Sequence, residues 1–573
     1  MPNASVENRL FASALREAFA EGYGYRQLLA DVVAGLTLGI IAIPLAMALA
    51  IAAGVAPQHG LYAAIVGGLV IAVAGGSRFN ISGPTAAFVV ILLPIVASWG
   101  VGGLLVATVM AGFILIAIGL TRLGRLVEFI PYPVIIGFTA GIGVVIAVLQ
   151  LKDLLGLDVT MTQPHFLDKV AALGSALPTM RWQDLLVGAV TLAVMLLWPR
   201  LRIPLPAHLM ALVAGTLSAF GAALLWTDFS VATIGTRFSW ELHGESGAGI
   251  PPFLPEFLLP WQWPGADGQP LGLDFALVRE LLPAAFAIAL LGAIESLLCA
   301  VVADGFTGKR HNPNGELVGQ GLGNIAAPFF GGITCTAAIA RTAANVRIGA
   351  VSPVSAVVHA LMVLAAVLLL APWLSMVPMA ALAALLLVVA WNMAEPRHVL
   401  HMMRISPRSD VAVLLTCFVL TVVFDMVLAV GVGMVLAAGL FVRRMGELTG
   451  ARMLTPGQHP HLANLPPGVV VYDVNGPLFF GAARQALENL GYGVDETRTV
   501  VLDMTDVPVL DMTGIVAFIA LRDRLQRRNI ALVVCGAPIH IRAKLERAGV
   551  VARPGVLQFA DGYDQVLALC RTP

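Results

Sequence analysis

The sequence predicts a polytopic α-helical membrane protein that ends in a small α/β domain, and three observations carry that prediction. Of 573 residues, 58% are hydrophobic and 12% charged, whereas a water-soluble chain carries roughly 25% charge. Much of this chain is therefore expected to be solvated by lipid. From about 31 to 443, apolar stretches near the ~20 residues of one bilayer crossing recur with short breaks. Beyond about 450 the composition turns to that of a soluble domain. The 34 Lys and Arg cancel the 34 Asp and Glu, which leaves no excess for phosphate and excludes a nucleic-acid partner. Five cysteines without CxxC spacing suggest neither a disulfide framework nor a metal site.

Three parts follow. Residues 1–30 carry NRLFASALREAFA, which reads as an amphipathic helix at the membrane surface, and no removable signal peptide is inferred. Residues 31–445 form the transmembrane domain. About fourteen crossings are expected, starting near 31, 61, 84, 102, 133, 183, 205, 276, 315, 336, 352, 376, 409 and 426. Lys and Arg test that count, because they gather on the cytoplasmic side. Arg9, Arg16, Arg26, Arg78, Arg122, Arg125, Arg200, Arg202, Lys309, Arg310, Arg347, Arg397, Arg404, Arg408, Arg443 and Arg444 fall on the inner side. Only Lys152, Lys169, Arg181, Arg237 and Arg279 fall on the outer one. An even count returns residues 450–573 to the cytoplasm. The Pro- and Trp-rich stretch from about 227 to 275 is expected to be an outer loop.

Two segments break the rules for spanning helices at corresponding places. GGSRFNISGPTAAF (75–88) enters the third crossing through Gly, Ser, Asn and Pro, and FFGGITCTAAIARTAAN (329–345) does the same in the tenth. Crossings one to seven and eight to fourteen then read as two repeats, inverted because each has an odd number. Paired interrupted segments of this kind point to a midplane site where half-helix N-termini face one another and favour an anion. Arg341 lies about one turn past the second helix start, and Glu295 lies mid-way through LLPAAFAIALLGAIESLLCAVVADGFTG. Charges at such depth normally face a cavity or a partner. Arg341 is expected to neutralise a substrate carboxylate and Glu295 to carry a coupling proton; the bland alternative is a salt bridge between the two. Ser82, Thr85, Thr334 and Thr336 are candidate donors to the substrate. Cys299 reads as a packing residue, Asp425 as a helix cap and His59 as a solvated residue of the first outer turn.

At these residues the sequence resembles the sulfate permease (SulP) family of anion transporters. The carriers are GLTLGIIAIPLAMALAIAAGVAPQHGLYAA (35–64), ISGPTAAF (81–88), NGELVGQGLGN (314–324) and GGITCTAAIARTAAN. Within the family, LLGAIESLLCAVVADG and FGGITCTAAIARTAANVR look most like bacterial C4-dicarboxylate transporters. The resemblance implies a fourteen-helix, seven-plus-seven inverted repeat with core and gate subdomains. It also implies a homodimer, and a substrate held between crossings three and ten beneath crossing one. Its contacts fall near Ile41, Leu45 and Leu49, at Thr85, and at Ala340 and Arg341. Sodium-coupled relatives place an aspartate and a threonine where this chain has Glu295 and Cys299. The lost hydroxyl oxygen favours protons over sodium as the coupling ion.

The tail alternates strand-like and helical runs: VVVYDVNGPLFF, RQALENL, TVVLDMT, GIVAFIALRDRLQRR and ALVVCG. It resembles the STAS domain of SulP proteins and of anti-sigma-factor antagonists. In the antagonists the position of Thr513, within Asp511-Met512-Thr513-Gly514, carries a regulatory phosphoserine. The alternative is that Thr513 caps its helix. A regulatory or assembly module with a cytoplasmic protein partner is expected there, and no enzyme. The sequence thus reads as a proton-coupled secondary transporter of the bacterial inner membrane, binding no cofactor. Its expected substrates are small dicarboxylates of the succinate, fumarate and aspartate class. Inorganic-anion transport (bicarbonate or sulfate) and an anion channel stand as alternatives.

Overall fold

The computed structural model describes residues 10–571 apart from 125–129, 160–165, 202, 204, 243–244, 425, 456–464, 480–482, 485 and 488–496. Asp425, expected as a helix cap, lies outside the described residues, as does most of the expected helix over 484–490. The chain divides into two compact units, Met1–Met434 and Val435–Pro573.

The first unit is helical. A surface helix α1 (Ser13–Ala20) precedes α2 (Tyr25–Ala52) and α3 (Pro57–Ala74), which loosens to a π turn over Ala63–Gly67. After an extended pair of residues, β1 (Ser82–Gly83), comes α4 (Ala86–Leu120). There follow α5 (Tyr132–Leu154), α6 (Phe166–Ala176), α7 (Trp182–Leu197) and α8 (Ala207–Leu225). The second half runs through α9 (Phe275–Thr307), α10 (Pro313–Ala326), β4 (Thr336–Ala337), α11 (Ile339–Ile348) and α12 (Val354–Ser375). It ends with α13 (Met379–Ala394), the amphipathic α14 (Pro396–Ile405), α15 (Arg408–Val423) and α16 (Met426–Leu448). Between α8 and α9 the Pro- and Trp-rich stretch holds an antiparallel hairpin, β2 (Ser239–Leu242) with β3 (Glu245–Ala248).

Among the described residues ten helices are long and apolar enough to cross a membrane. The expected fourteen differ for a local reason. Gly100, at φ 67°, leaves helical geometry and divides α4 into two helices where two crossings were expected, and the run is counted once only because no residue separates them. The segments expected near 315, 336 and 409 are helices of 14, 10 and 16 residues, shorter than a full crossing. Helices pack closely where both partners are small. A side chain on Gly112 would lie 2.7 Å from the Gly321 carbonyl oxygen, and one on Gly321 would lie 2.6 Å from that of Gly112. This contact seats α4 against α10.

His59 departs from the expectation of a solvated residue. It is buried, its Nδ1 is 2.6 Å from the Gly331 carbonyl oxygen, and its ring meets Trp263 edge-on. The same Pro- and Trp-rich stretch supplies that tryptophan, and its Pro264 accepts a hydrogen bond from Gly102 N (2.9 Å), strapping the break in α4.

At the start of the chain, α1 is fastened to the interrupted segment. Ala12 N donates to Ala74 O (2.8 Å), and Arg78 donates to Glu21 (2.6 and 2.7 Å) and Glu17 (3.3 Å). Lys309, just past the end of α9, also donates to Glu21 (2.8 Å).

The second unit is a five-stranded sheet in the order β5 (Gly450–Leu454), β6 (Val469–Asn475), β7 (Thr499–Asp503), β8 (Ala531–Cys535), β9 (Leu557–Ala560). The β5–β6 pair is antiparallel and the others parallel. The crossovers include α17 (Met512–Arg527) and α18 (Ile539–Arg547), and α19 (Tyr563–Arg571) closes the chain. Ile515, Phe518, Leu521 and Leu525 on α17 bury one stripe against Leu502, Leu532 and Val534. Asp511, rather than Thr513, caps α17: its Oδ1 accepts from Gly514 N at 2.8 Å, and Thr513 is exposed. The aspartate stands at the N-cap with extended backbone, the position from which a side chain reaches those N–H groups.

The α1 fastening predicts an acid response. Hydrogen bonds from Arg78 and Lys309 hold the Glu21 carboxyl at about 2, below its ordinary 4.5. A carboxyl lowered by folding contributes fully above its unfolded value and loses that contribution as pH falls toward the folded one. A nitroxide on exposed Ala20 should therefore stay immobile from pH 7 down to about 4.5 and gain mobility below it, with Glu21→Gln removing the transition. Mobility independent of pH down to 3 would contradict the fastening.

Candidate functional site

The two interrupted segments meet. β1 and β4 pair antiparallel, Ser82 opposite Ala337 and Gly83 opposite Thr336, and Ala338 N donates to Ile81 O (3.1 Å). From this crossed pair α4 and α11 depart, so both helix N-termini begin at one place inside the first unit. Neither is capped by its own side chain. Ala338 has no oxygen to offer, and the Thr85 hydroxyl donates to Glu295 Oε2 (2.8 Å) instead of accepting from its own first turn. Helix starts left in this state present unpaired N–H groups and a positive dipole end.

Arg341, 7% exposed, sits in the first turn of α11 and donates to Pro84 O at 2.7 Å. A side chain at Gly83 would lie 2.9 Å from the guanidinium, so glycine is what lets arginine approach the strand pair. Glu295 is half-buried on α9. It does not form the salt bridge considered above, because it takes the Thr85 hydroxyl while Arg341 takes a backbone carbonyl. The combination, called the cradle below, brings together two helix starts, one guanidinium and a carboxyl, groups of the kind that suit an anion.

The other expected contacts are placed as follows. The Thr336 hydroxyl donates to Gly292 O (3.1 Å), so its proton is engaged within the protein, and Ser82 accepts from Gln320 (3.2 Å). Thr334 shares a 2.9 Å hydrogen bond with Thr108. On α2, Ile41 is half-buried beside Leu38, Ile81 and Ala356, Leu45 is half-buried and Leu49 buried. Ala340 is exposed. Cys299 is buried and donates to Ala337 O, packing behind the strand pair. Thr513 belongs to the second unit. Among the described residues no group of three or more His, Cys, Asp or Glu side chains is placed to hold a metal.

Sequence reasoning missed the scaffold beneath the cradle. Glu316, 1% exposed on α10, accepts from Gly76 N (3.0 Å), Ser77 N (2.9 Å), Asn80 (2.8 Å) and Gln320 (3.0 Å). Asn324 accepts from Cys335 N (2.8 Å) and donates to Cys335 O (2.8 Å). Asn345 donates to Phe79 O (2.9 Å), and the Thr342 hydroxyl accepts from Ile81 N (3.2 Å). The signal available was the i, i+4, i+8 spacing of Glu316, Gln320 and Asn324, which puts three polar side chains on one face of a membrane helix.

The family model described as the sulfate permease family matches residues 28–417. The chain belongs to that family. A family model described as the STAS domain matches residues 462–558. The permease is 39% identical over 548 residues to the Bacillus subtilis protein named "Putative sulfate transporter YvdB", covering 95% of this chain and 98% of that one. It is 30% identical over 551 residues to the bicarbonate transporter BicA of Synechocystis, covering 92% and 91%. The transmembrane domain of a cyanobacterial BicA superposes with a TM-score of 0.61 at 28% identity, covering 73% of this chain and 99% of that one. Murine Slc26a9, an anion transporter, shares the fold alone: TM-score 0.83 at 18% identity over 97% and 93%. The family is one of transporters, and the permease is not an enzyme.

These relatives overturn the dicarboxylate expectation, since the near full-length matches are named for sulfate or bicarbonate. The physical reason lies in the two stretches that suggested it. They build scaffold: Cys299 and Cys335 within them are buried against backbone carbonyls, and Arg341 buttresses the strand pair. Such residues report the fold of the cradle and not the size of its ligand.

Glu316→Ala would orphan two buried backbone N–H groups and two amides. Each orphaned group costs about 1–3 kcal/mol, so a loss on the order of 3 kcal/mol or more is predicted. A clear drop in the apparent melting temperature of the detergent-solubilised protein would report it, with Glu316→Gln falling between; unchanged melting would refute the scaffold role.

Proposed function

We propose that this sulfate permease family member is a secondary transporter of a small inorganic oxyanion, bicarbonate or sulfate, coupled to protons. The observation that carries the reading is the pair of uncapped helix starts converging with Arg341. One compact positive locus suits one anionic head bearing several oxygens. Ser82, Thr85 and Thr336, the apolar Ile41, Leu45 and Leu49, and Ala340 line this proposed site. Glu295, already bonded to Thr85, carries the coupling proton and offsets charge on the return step. Sodium is less favoured, because Cys299 brings no hydroxyl oxygen beside Glu295.

The wider architecture follows as part of the same reading: fourteen segments in two inverted repeats of seven, divided into core and gate. Equivalent packing supports it. The α2–α12 contact has its repeat partner in α9–α4, the α3–α12 contact in α10–α4, and the α5–α15 contact in α13–α7. We place the protein in the bacterial inner membrane as a homodimer with both termini cytoplasmic, in keeping with the Lys and Arg distribution. The STAS tail acts as a regulatory or assembly module for a cytoplasmic protein partner. The exposed Thr513 is its modification position, where added negative charge at a helix start is favourable.

Counterflow uptake into proteoliposomes tests the reading with radiolabelled sulfate and bicarbonate, each with the other as competitor. Saturable accumulation of one anion above equilibrium, driven by an inward proton gradient, is expected and would exclude a channel. Absence of uptake of both anions would end the proposal. Glu295→Gln should keep exchange and lose at least about tenfold of gradient-driven accumulation, since a neutral amide cannot release a proton; full accumulation would overturn the proton assignment.

A further inference from the structure

A surface of the first unit away from the cradle carries a pattern that transport does not use. The chain turns sharply after α13. Glu395 adopts φ 41°, in the left-handed region where a residue with a side chain is uncommon, and Pro396 opens α14. Pro407 then separates α14 from α15. The ten residues PRHVLHMMRI between these breaks are thus a helix of their own and not a continuation of α13, and none of them is buried.

Three sides of α14 differ. His398 and Met402, four apart and hence on one side, are half-buried, and His398 Nε2 lies 2.9 Å from the Tyr132 hydroxyl at the start of α5. This side rests on the protein. Leu400 and Met403 are 56% and 39% exposed, and Ile405 at the helix end is exposed as well. Arg397, His401 and Arg404, spaced at i, i+4 and i+7, form an exposed cationic side. Leu400 stands three residues after Arg397 and four before Arg404, so the apolar and cationic sides adjoin. Arg408, the first residue of α15, is exposed just beyond. Glu395 and Asp410 flank the helix, and neither they nor any other carboxylate among the described residues pairs with Arg397, Arg404 or Arg408. Water alone would leave Leu400 and Met403 badly solvated, and hydrocarbon alone would do so for the arginines; the boundary between the two suits both. Two aromatic side chains mark that level, since Trp and Tyr gather where a bilayer meets water. Trp391, one turn before the end of α13, is exposed, and so is Tyr132.

We propose that α14 lies along the inner surface of the bilayer and binds the phosphate of an anionic glycerophospholipid through Arg397, Arg404 and Arg408, with Leu400 and Met403 against its acyl chains. The inference rests on the membrane placement proposed above and not on the identity of the transported anion. Three guanidinium groups without carboxylates complement a phosphodiester. An apolar side within one turn of them distinguishes a lipid from a free phosphate. Through His398 and Tyr132 the bound lipid holds the end of α13 to the start of α5, two helices that pack against each other.

The test uses the full-length protein in bilayers, with a fluorescent label on Leu400→Cys in a Cys570→Ser background, since the other four cysteines are buried. Quenching is measured with phosphatidylglycerol or phosphatidylcholine that carries a nitroxide high on the acyl chain, at equal mole fraction in an otherwise phosphatidylcholine membrane. Quenching by phosphatidylglycerol should exceed that by phosphatidylcholine by about threefold or more. Changing Arg397→Gln, Arg404→Gln and Arg408→Gln together should bring the two to near equality while quenching by phosphatidylcholine persists. With the arginines intact, no quenching by either lipid overturns the placement of α14 on the bilayer, and equal quenching by both overturns the choice of an anionic lipid. A preference that survives the triple substitution overturns the assignment to these arginines. Loss of the preference in about 10 mM inorganic phosphate at constant ionic strength overturns the lipid as occupant, because the site then takes a free phosphate. Neither anion uptake nor Arg341 enters the measurement, so its failure leaves the proposed transport function standing, and failure of the uptake assay leaves the lipid site standing.

Discussion

A backbone that leaves helix geometry inside a bilayer has no water to satisfy its N–H and C=O groups. Everything distinctive in the first unit follows from how two such stretches solve that problem together. Residues around Ser82 and Thr336 pair with each other as a minimal antiparallel ladder, and the groups the ladder cannot reach are taken by buried side chains. Glu316 serves the first stretch and Asn324 the second. Asn345 and Thr342 tie the second to the first. Both segments are thus held largely from α10 and α11.

That solution creates the chemistry. Two helices start from one crossing point, and polar side chains near their first turns are engaged elsewhere: Thr85 with Glu295, Thr342 with Ile81. The helix starts are therefore presented rather than capped. Arg341 adds a full charge to their partial ones, and its contact with Pro84 O fixes it against the ladder. Charge at such depth needs a partner, and the Pro84 carbonyl supplies one. The bend at Gly100, strapped by Pro264, and the seating of Gly112 on Gly321 keep α4 in the direction that the cradle requires.

Much of this was legible in the sequence, for physical reasons. Glycine, proline and asparagine inside a lipid-length apolar run mark irregular backbone wherever they occur. Glu295 and Arg341 stand out because charge is scarce around them. The tail's alternation of strand and helix was equally plain. What escaped depended on contacts distant in sequence. Glu316 meets Gly76 across 240 positions, and its spacing with Gln320 and Asn324 marks a polar helix face without saying what that face holds. His59 reads as solvated until Trp263, far along the chain, covers it. The capping of α17 fell to Asp511 because reach to Gly514 N depends on backbone direction, which composition does not encode. Substrate identity was misjudged because the most recognisable residues are those that brace the strand pair.

The central claim is that one anion binds where the two helix starts and Arg341 converge. Titrating the detergent-solubilised wild type and Arg341→Ala with the transported anion, while measuring bound radiolabel, addresses it directly. Removing a charge-assisted partner worth about 1.5–3 kcal/mol should weaken binding by at least about tenfold while leaving the protein monodisperse. Unchanged affinity in a well-folded Arg341→Ala protein would contradict the account, since the anion would then be held elsewhere.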